Sequence, residues 1–312
     1  MKGWVANTHP DWFDFLRLRP ERWEEVNFWN PSDRNAFSGL PGAPFFFRLK
    51  SPRNAIGGFG LVSRFARLPE WLAWECFGEA NGASSLMDLE RRLRRLRADN
   101  AVKGLSQDGP PQIGCILLSQ AVFFPEEMWV RQPDDWAGPI VRYKGYSLLE
   151  GEGERIWREC LERADMLGVL PLPPAAGVAD RYGAPMLVRP RLGQGIFRVA
   201  VTDAYGRSCA VTGEHSLPVL EAAHIKPYAQ YGTHEVRNGV LFRSDLHRLF
   251  DIGYVTVTPE HRLEVSQRLR EDYRNGRTYY PLHGSTLQVP RRVEDRPDPE
   301  LLAWHNEQVY RG

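Results

Sequence analysis

Along its first half the chain alternates apolar and polar positions in short blocks, and changes to a longer period twice. "GWVANT", "PFFFRLK", "AIGGFGLVSRFARL" and "IGCILLSQAVFF" are short apolar or alternating runs set apart by Gly and Pro, the pattern of strands. "SSLMDLERRLRRLRADN" instead repeats its leucines at helical spacing, with Leu86, Leu89, Leu93 and Leu96 on one face. Its arginines then form a solvated face or, alternatively, a stripe that contacts phosphates. "GEGERIWRECLERADML" puts Ile156, Cys160, Leu161 and Met166 on a second helix. Several strands around one or two helices predict a small α+β barrel.

The pattern breaks at "LPLPPAAGVADRYGAP", Leu170 to Pro185, whose four prolines and two glycines continue neither a helix nor a central strand. This reads as a linker over 170–185, between a first domain at 1–169 and a second at 186–312. In the second, "GQGIFRVAVTDAYG" predicts a helix with Phe197, Val201 and Ala204 inward. "SCAVTG" and "VLEAAHI" predict two short strands, followed by a loop holding Pro227 and Gly232. "NGVLFRSDLHRLFDIG" is then helical in its later half, and "GYVTVTP", "RLEVS" and "TLQVP" predict further strands. There is no internal repeat.

A length of 312 residues suits two separate cores, and 42% hydrophobic with 25% charged residues is an ordinary globular composition. The net charge of +1 excludes a protein that is basic throughout, so a polyanion would have to be held by local charge. No run approaches the length of a membrane span, and the opening residues lack the apolar core of a signal peptide. Cys76, Cys115, Cys160 and Cys209 stand far apart with no Cys-x-x-Cys pair. That argues against a zinc knuckle or a disulfide framework and fits a reducing cytoplasm.

The candidate chemistry begins in "EAAHIKPY", where His224 interrupts an apolar run that Pro227 ends. His224, Asn238, His247 and Asp251 follow one another at gaps of 14 (238 minus 224), 9 (247 minus 238) and 4 (251 minus 247). The last gap puts His247 and Asp251 one turn apart on one helix face, where imidazole and carboxylate can share a divalent cation. A neutral imidazole nearby, His224, suits a general base acting on water. The Asn238 amide can tie the long loop together. Taken singly, each residue also has a plain structural reading: a core histidine, an Asn-Gly turn, a helix end.

Together, "CAVTG…LEAAHIKPY…G…RNGVLFRSDLHRLFDIG" resembles the HNH nuclease motif of the ββα-metal superfamily, in the branch written AAHI-x-P…NG…LH-x-x-FD-x-G. The resemblance covers Cys209 to Gly253. It implies hydrolysis of nucleic-acid phosphodiesters with a divalent metal, Mg²⁺ or Mn²⁺. His224 would be the general base, Asn238 the motif asparagine and His247 a metal ligand. Many members carry Asp or His directly before the first histidine, but Ala223 stands there. Asp251 is therefore the candidate for the second protein ligand.

The first domain, through "GWVANT", "VNFWNPSDRNAF" and "PFFFRLKSPRNAIGGFGLV", resembles the PUA-like superfamily that includes EVE and SRA modules. The resemblance implies an aromatic pocket for a flipped, modified base. In "NFWNPS", taken as a loop set by Pro31, Trp29 would stack on the base while Asn30 and Ser32 bond its edge. The other reading makes Phe28 and Trp29 core residues. Phe45 to Phe47 form a core strand, and Trp71 and Trp74 pack against the barrel, unless one lines the pocket. Joined to an HNH unit, such a module resembles modification-dependent restriction endonucleases. The expected substrate is double-stranded DNA with a modified base, cytosine foremost, in defence against modified phage DNA. One site per chain suggests a homodimer, or else two independent nicks. The alternatives are a nicking nuclease whose first domain binds RNA or protein, and a non-catalytic nucleic-acid reader.

Overall fold

The alternating runs of the first half pair into one mixed sheet. In a computed structural model, residues 1–19, 23–34, 36–99, 111–136, 142–169, 193–227 and 233–312 are described. They divide into two units, Met1–Gly193 and Gln194–Gly312. The linker expected at 170–185 lies outside the described residues.

The first unit runs β1 (Lys2–Thr8), α1 (Pro10–Arg17), β2 (Glu25–Asn30), β3 (Pro44–Leu49), β4 (Ala55–Pro69), α2 (Glu70–Phe77) and α3 (Leu86–Asp99). It continues with β5 (Gln112–Phe123), β6 (Val130–Arg131), β7 (Tyr143–Ser147) and α4 (Gly151–Met166). The sheet order is β2-β5-β4-β3-β1-β7, with β6 paired to β4. β1 lies parallel to β3, and the other pairings are antiparallel. Among the described residues the terminal strands β2 and β7 do not pair with each other. Among the described residues the sheet is therefore an open path, and the small barrel that the sequence suggested is not closed there.

The unbroken Phe45–Phe47 run reflects burial on both faces of the sheet, since successive side chains of a strand point oppositely. Phe45 and Phe47 pack with Phe28, Trp12 and Phe123, while Phe46 meets Phe59 and Trp157 of α4. On α4 the buried row is Ile156, Cys160 and Ala164, one residue per turn. Met166, expected on that face, is 77% exposed because it falls off the row. On α3, Leu89 and Leu93 are fully buried, and Arg92 and Arg97 bond Asp88 and Glu70. On α2, Leu72, Ala73 and Phe77 are buried, while Trp71 and Trp74 are only half-buried.

"NFWN" is not a loop. It is the end of β2, paired residue for residue with Gly114–Leu117 of β5. Trp29 keeps 8% of its surface exposed, and its indole N–H donates to Asn81 O at 2.8 Å. Asn81, fully buried, accepts from Asn27 Nδ2 and donates to Ala73 O and Gly78 O. Pro31 ends the strand rather than setting a loop around Trp29.

The second unit runs α5 (Gln194–Ala204), β8 (Leu220–His224), β9 (Gly239–Arg243), α6 (Ser244–Asp251), β10 (Val255–Val257), β11 (Leu263–Val265), α7 (Arg268–Tyr273) and α8 (Pro299–Gln308). β8 and β9 form an antiparallel hairpin from Leu220↔Arg243 to His224↔Gly239, and α6 follows β9 directly. Phe197, Val201, Leu220, Ala223, Val240, Phe242, Leu246 and Phe250 fill one core beneath it. A side chain at Gly239 would put its Cβ 2.6 Å from Val201 and 2.9 Å from Phe197, so the second strand can start there only with glycine.

Two predicted strands are corrected. "SCAVTG" is a turn: Gly213, at φ +69°, donates to Cys209 O, and Cys209 donates to Glu214 O. Ala210 N–H then fastens this turn to Leu241 O of β9. The partner of β8 is instead the apolar "GVLFR" beyond the long loop. "TLQVP" makes one isolated bridge, Arg262↔Thr286, and no strand.

Candidate active site

The hairpin ends at His224, and the loop that leaves it is closed by Asn238. Asn238 is fully buried. Its Oδ1 accepts from Lys226 N–H at 2.9 Å, while Nδ2 donates to Lys226 O at 2.9 Å and Thr233 O at 2.7 Å. Its own carbonyl accepts from Ile225 N–H. One carboxamide thus satisfies backbone groups at both ends of the connection, which a β-hairpin with a long loop otherwise leaves unpaired.

His224 is half-buried on the same frame. Its ring lies on that of Phe197 from α5, centroids 3.9 Å apart and 13° from parallel, and its Nε2 is 3.0 Å from His234 Nδ1. Burial is the main force that lowers its pKa, to about 4. His234 and His247 push the same way, and Asp251 pulls against them. The imidazole is therefore neutral at neutral pH, and His247 and Asp251 lie within its electrostatic reach.

On α6 the gap of four brings His247 Nε2 to 3.4 Å from Asp251 Oδ2. The other ring nitrogen, Nδ1, is 2.6 Å from Glu221 Oε2, a carboxylate of β8. Burial lowers the His247 pKa, but hydrogen bonding to Asp251 and Glu221 outweighs it and the net shift is upward. Glu221, His234 and Phe197 were not among the residues singled out for chemistry. Glu221 opens the "EAAHIKPY" stretch, and a carboxylate three residues before the histidine was the available signal. His234 sits in an irregular loop where spacing carries none.

The donor set can be tested against a divalent metal. Neighbouring ligands in an octahedral Mg²⁺ shell, with bonds near 2.0–2.1 Å, stand about 3 Å apart. The His247–Asp251 separation of 3.4 Å is close to that. Among the described residues no group of three or more His, Cys, Asp or Glu is arranged to hold a metal. The pair thus fits an ion bound by two side chains, with water and substrate oxygens completing the shell, the usual habit of Mg²⁺.

The turn, hairpin and helix that carry the motif residues follow one another along the chain. Residues 209–258 match the HNH endonuclease family. The second unit therefore carries an HNH endonuclease domain. No curated protein matches the chain in sequence. Among solved structures, the chain is similar to ASCH from Zymomonas mobilis at 12% identity, covering 50% of this chain and 93% of that one, with a TM-score of 0.32. It is also similar to the modification dependent TagI restriction endonuclease at 12% identity, covering 92% of this chain and 76% of that one, with a TM-score of 0.29. None of the described helices is long and apolar enough to cross a membrane.

Trp29, Asn30 and Ser32 all lie in the first unit. Trp29 is in the core as described above, Asn30 is half-buried at the end of β2, and the Ser32 hydroxyl accepts from Arg34 N–H.

Proposed function

We propose that the protein is a metal-dependent endonuclease that hydrolyses phosphodiester bonds in double-stranded DNA carrying a modified base. The observation that carries this reading is the hairpin and helix within the HNH-matching residues 209–258, which present a half-buried His224 stacked on Phe197 and the adjacent His247–Asp251 pair. His224 takes the proton of a water molecule as its oxygen bonds to phosphorus, and the bond from phosphorus to the leaving ester oxygen breaks. Asn238 holds the loop beside His224 in register. His247 and Asp251 would hold Mg²⁺ or Mn²⁺, which would supply neutralisation of the charge that develops on the phosphate oxygens.

Selection of substrate falls to the first unit, as a PUA-like reader of modified bases with cytosine modification the first to test. Trp29, Asn30 and Ser32 are its candidate contacts. The burial of Trp29 means that a base could stack on it only after β2 moves. The cellular role that follows is restriction of modified phage DNA in the cytoplasm, by a homodimer for double-strand cuts. Matched plasmids with and without cytosine or adenine modification, incubated with Mg²⁺ or Mn²⁺, test the reading. Cleavage confined to one modified plasmid supports it. Equal cleavage of all plasmids removes the modification dependence, and no cleavage with either metal removes the nuclease.

A further inference from the structure

The hydrogen bond between Glu221 and His247 links the hairpin to the metal-binding helix, and its chemistry allows one polarity. A carboxylate only accepts, so at 2.6 Å the proton between Glu221 Oε2 and His247 Nδ1 sits on the nitrogen. Nε2 also faces a carboxylate, Asp251 at 3.4 Å; with Nδ1 holding its hydrogen against Glu221, the ring that gives up its other proton has its lone pair on Nε2. The two nitrogens lie on opposite edges of the ring, so Glu221 stands behind the imidazole and outside the coordination shell.

We infer that Glu221 is a positioning residue, which fixes the tautomer and orientation of His247 so that Nε2 faces the metal beside Asp251. This rests on the reading of His247 as a metal ligand. A carboxylate behind a ligating histidine raises the basicity of the metal-facing nitrogen, and losing such a partner typically costs about 10–100-fold in metal affinity. It also explains how a site with Ala223 in place of a further ligand keeps a preorganised geometry. Glu221 retains 45% of its side-chain surface, so replacing it does not hollow the core.

The test uses the full chain with ¹⁵N-labelled histidine and Mn²⁺ as the probe, without DNA, under mildly alkaline conditions. In the wild type, His247 is expected to carry hydrogen on Nδ1, and Mn²⁺ to broaden the Nε2 resonance most. Glu221→Ala should lose the single tautomer and bind Mn²⁺ about 10–100-fold more weakly at an unchanged melting temperature. Glu221→Gln keeps an accepting oxygen and should retain part of both. Hydrogen on Nε2 in the wild type, strongest broadening at Nδ1, or a Glu221→Ala protein with unaltered tautomer and affinity overturns the inference. Because no readout requires cleavage, an inactive protein that passes these tests refutes the nuclease reading and leaves the role of Glu221 standing.

Discussion

Trp29→Ala separates a packing residue from a base-binding one. The indole is 8% exposed and donates to the carbonyl of Asn81, which itself holds Ala73, Gly78 and Asn27 together. Truncating a buried Trp to Ala costs about 3–5 kcal/mol. The orphaned Asn81 carbonyl adds roughly 1–3 kcal/mol, less whatever water recovers. A total of about 4–8 kcal/mol corresponds to a fall of roughly 10–30 °C in the melting temperature of a unit this size. Trp29→Phe keeps most of the ring and should lose only about 1–3 kcal/mol, chiefly the hydrogen bond. Calorimetry of both variants, with cleavage of modified and unmodified plasmids by the folded fraction, measures the two roles together. Packing predicts a destabilised Trp29→Ala protein whose folded fraction still discriminates. If it melts with the wild type and has lost its preference, the packing argument fails and the base belongs on this ring, where stacking returns about 1–3 kcal/mol against the cost of extrusion.

Further outcomes follow from the second unit. His247→Ala should abolish measurable Mn²⁺ binding by calorimetry and Asp251→Ala should weaken it; unchanged binding by Asp251→Ala would remove that residue from the site. His234→Ala frees one edge of the His224 ring and should lower kcat by about 10–100-fold while Mn²⁺ affinity stays level. His305, 2% exposed, stacks on Phe250 and bonds Thr256 and the Phe250 carbonyl, and burial lowers its pKa to about 4. The folded chain refuses a proton that the unfolded chain accepts below about pH 6.5, so this contribution is complete above that pH and is lost as pH falls toward 4. The shift is worth about 3 kcal/mol. Denaturant titrations should therefore show a shallower acid slope for His305→Leu, and equal slopes would contradict it.

The strands and helices whose periodicity is unambiguous were legible in the chain: Phe45–Phe47, the leucine row of α3, the α5 face of Phe197 and Val201. The failures have local causes. "SCAVTG" has the composition of a strand, but Gly213 at positive φ folds it back on Cys209. Its apolar residues pack as a turn under β9. "NFWN" looked like a loop because Pro31 follows it, although proline also ends strands. The spacing of His247 and Asp251 exposed their adjacency because a helix turns a gap of four into contact. Glu221 meets His247 only through the β8–α6 packing, and His234 meets His224 only through a loop closed by Asn238. Contacts of that kind carry no period to read.

The central claim is that His224 is the base of a hydrolytic site, and one comparison tests it most directly. Wild type and His224→Ala are incubated at saturating Mg²⁺ with modified plasmid, and DNA binding is measured in parallel. His224→Ala is expected to cleave about 10²–10⁴-fold more slowly while binding DNA as the wild type does. Cleavage by His224→Ala at the wild-type rate would contradict the claim.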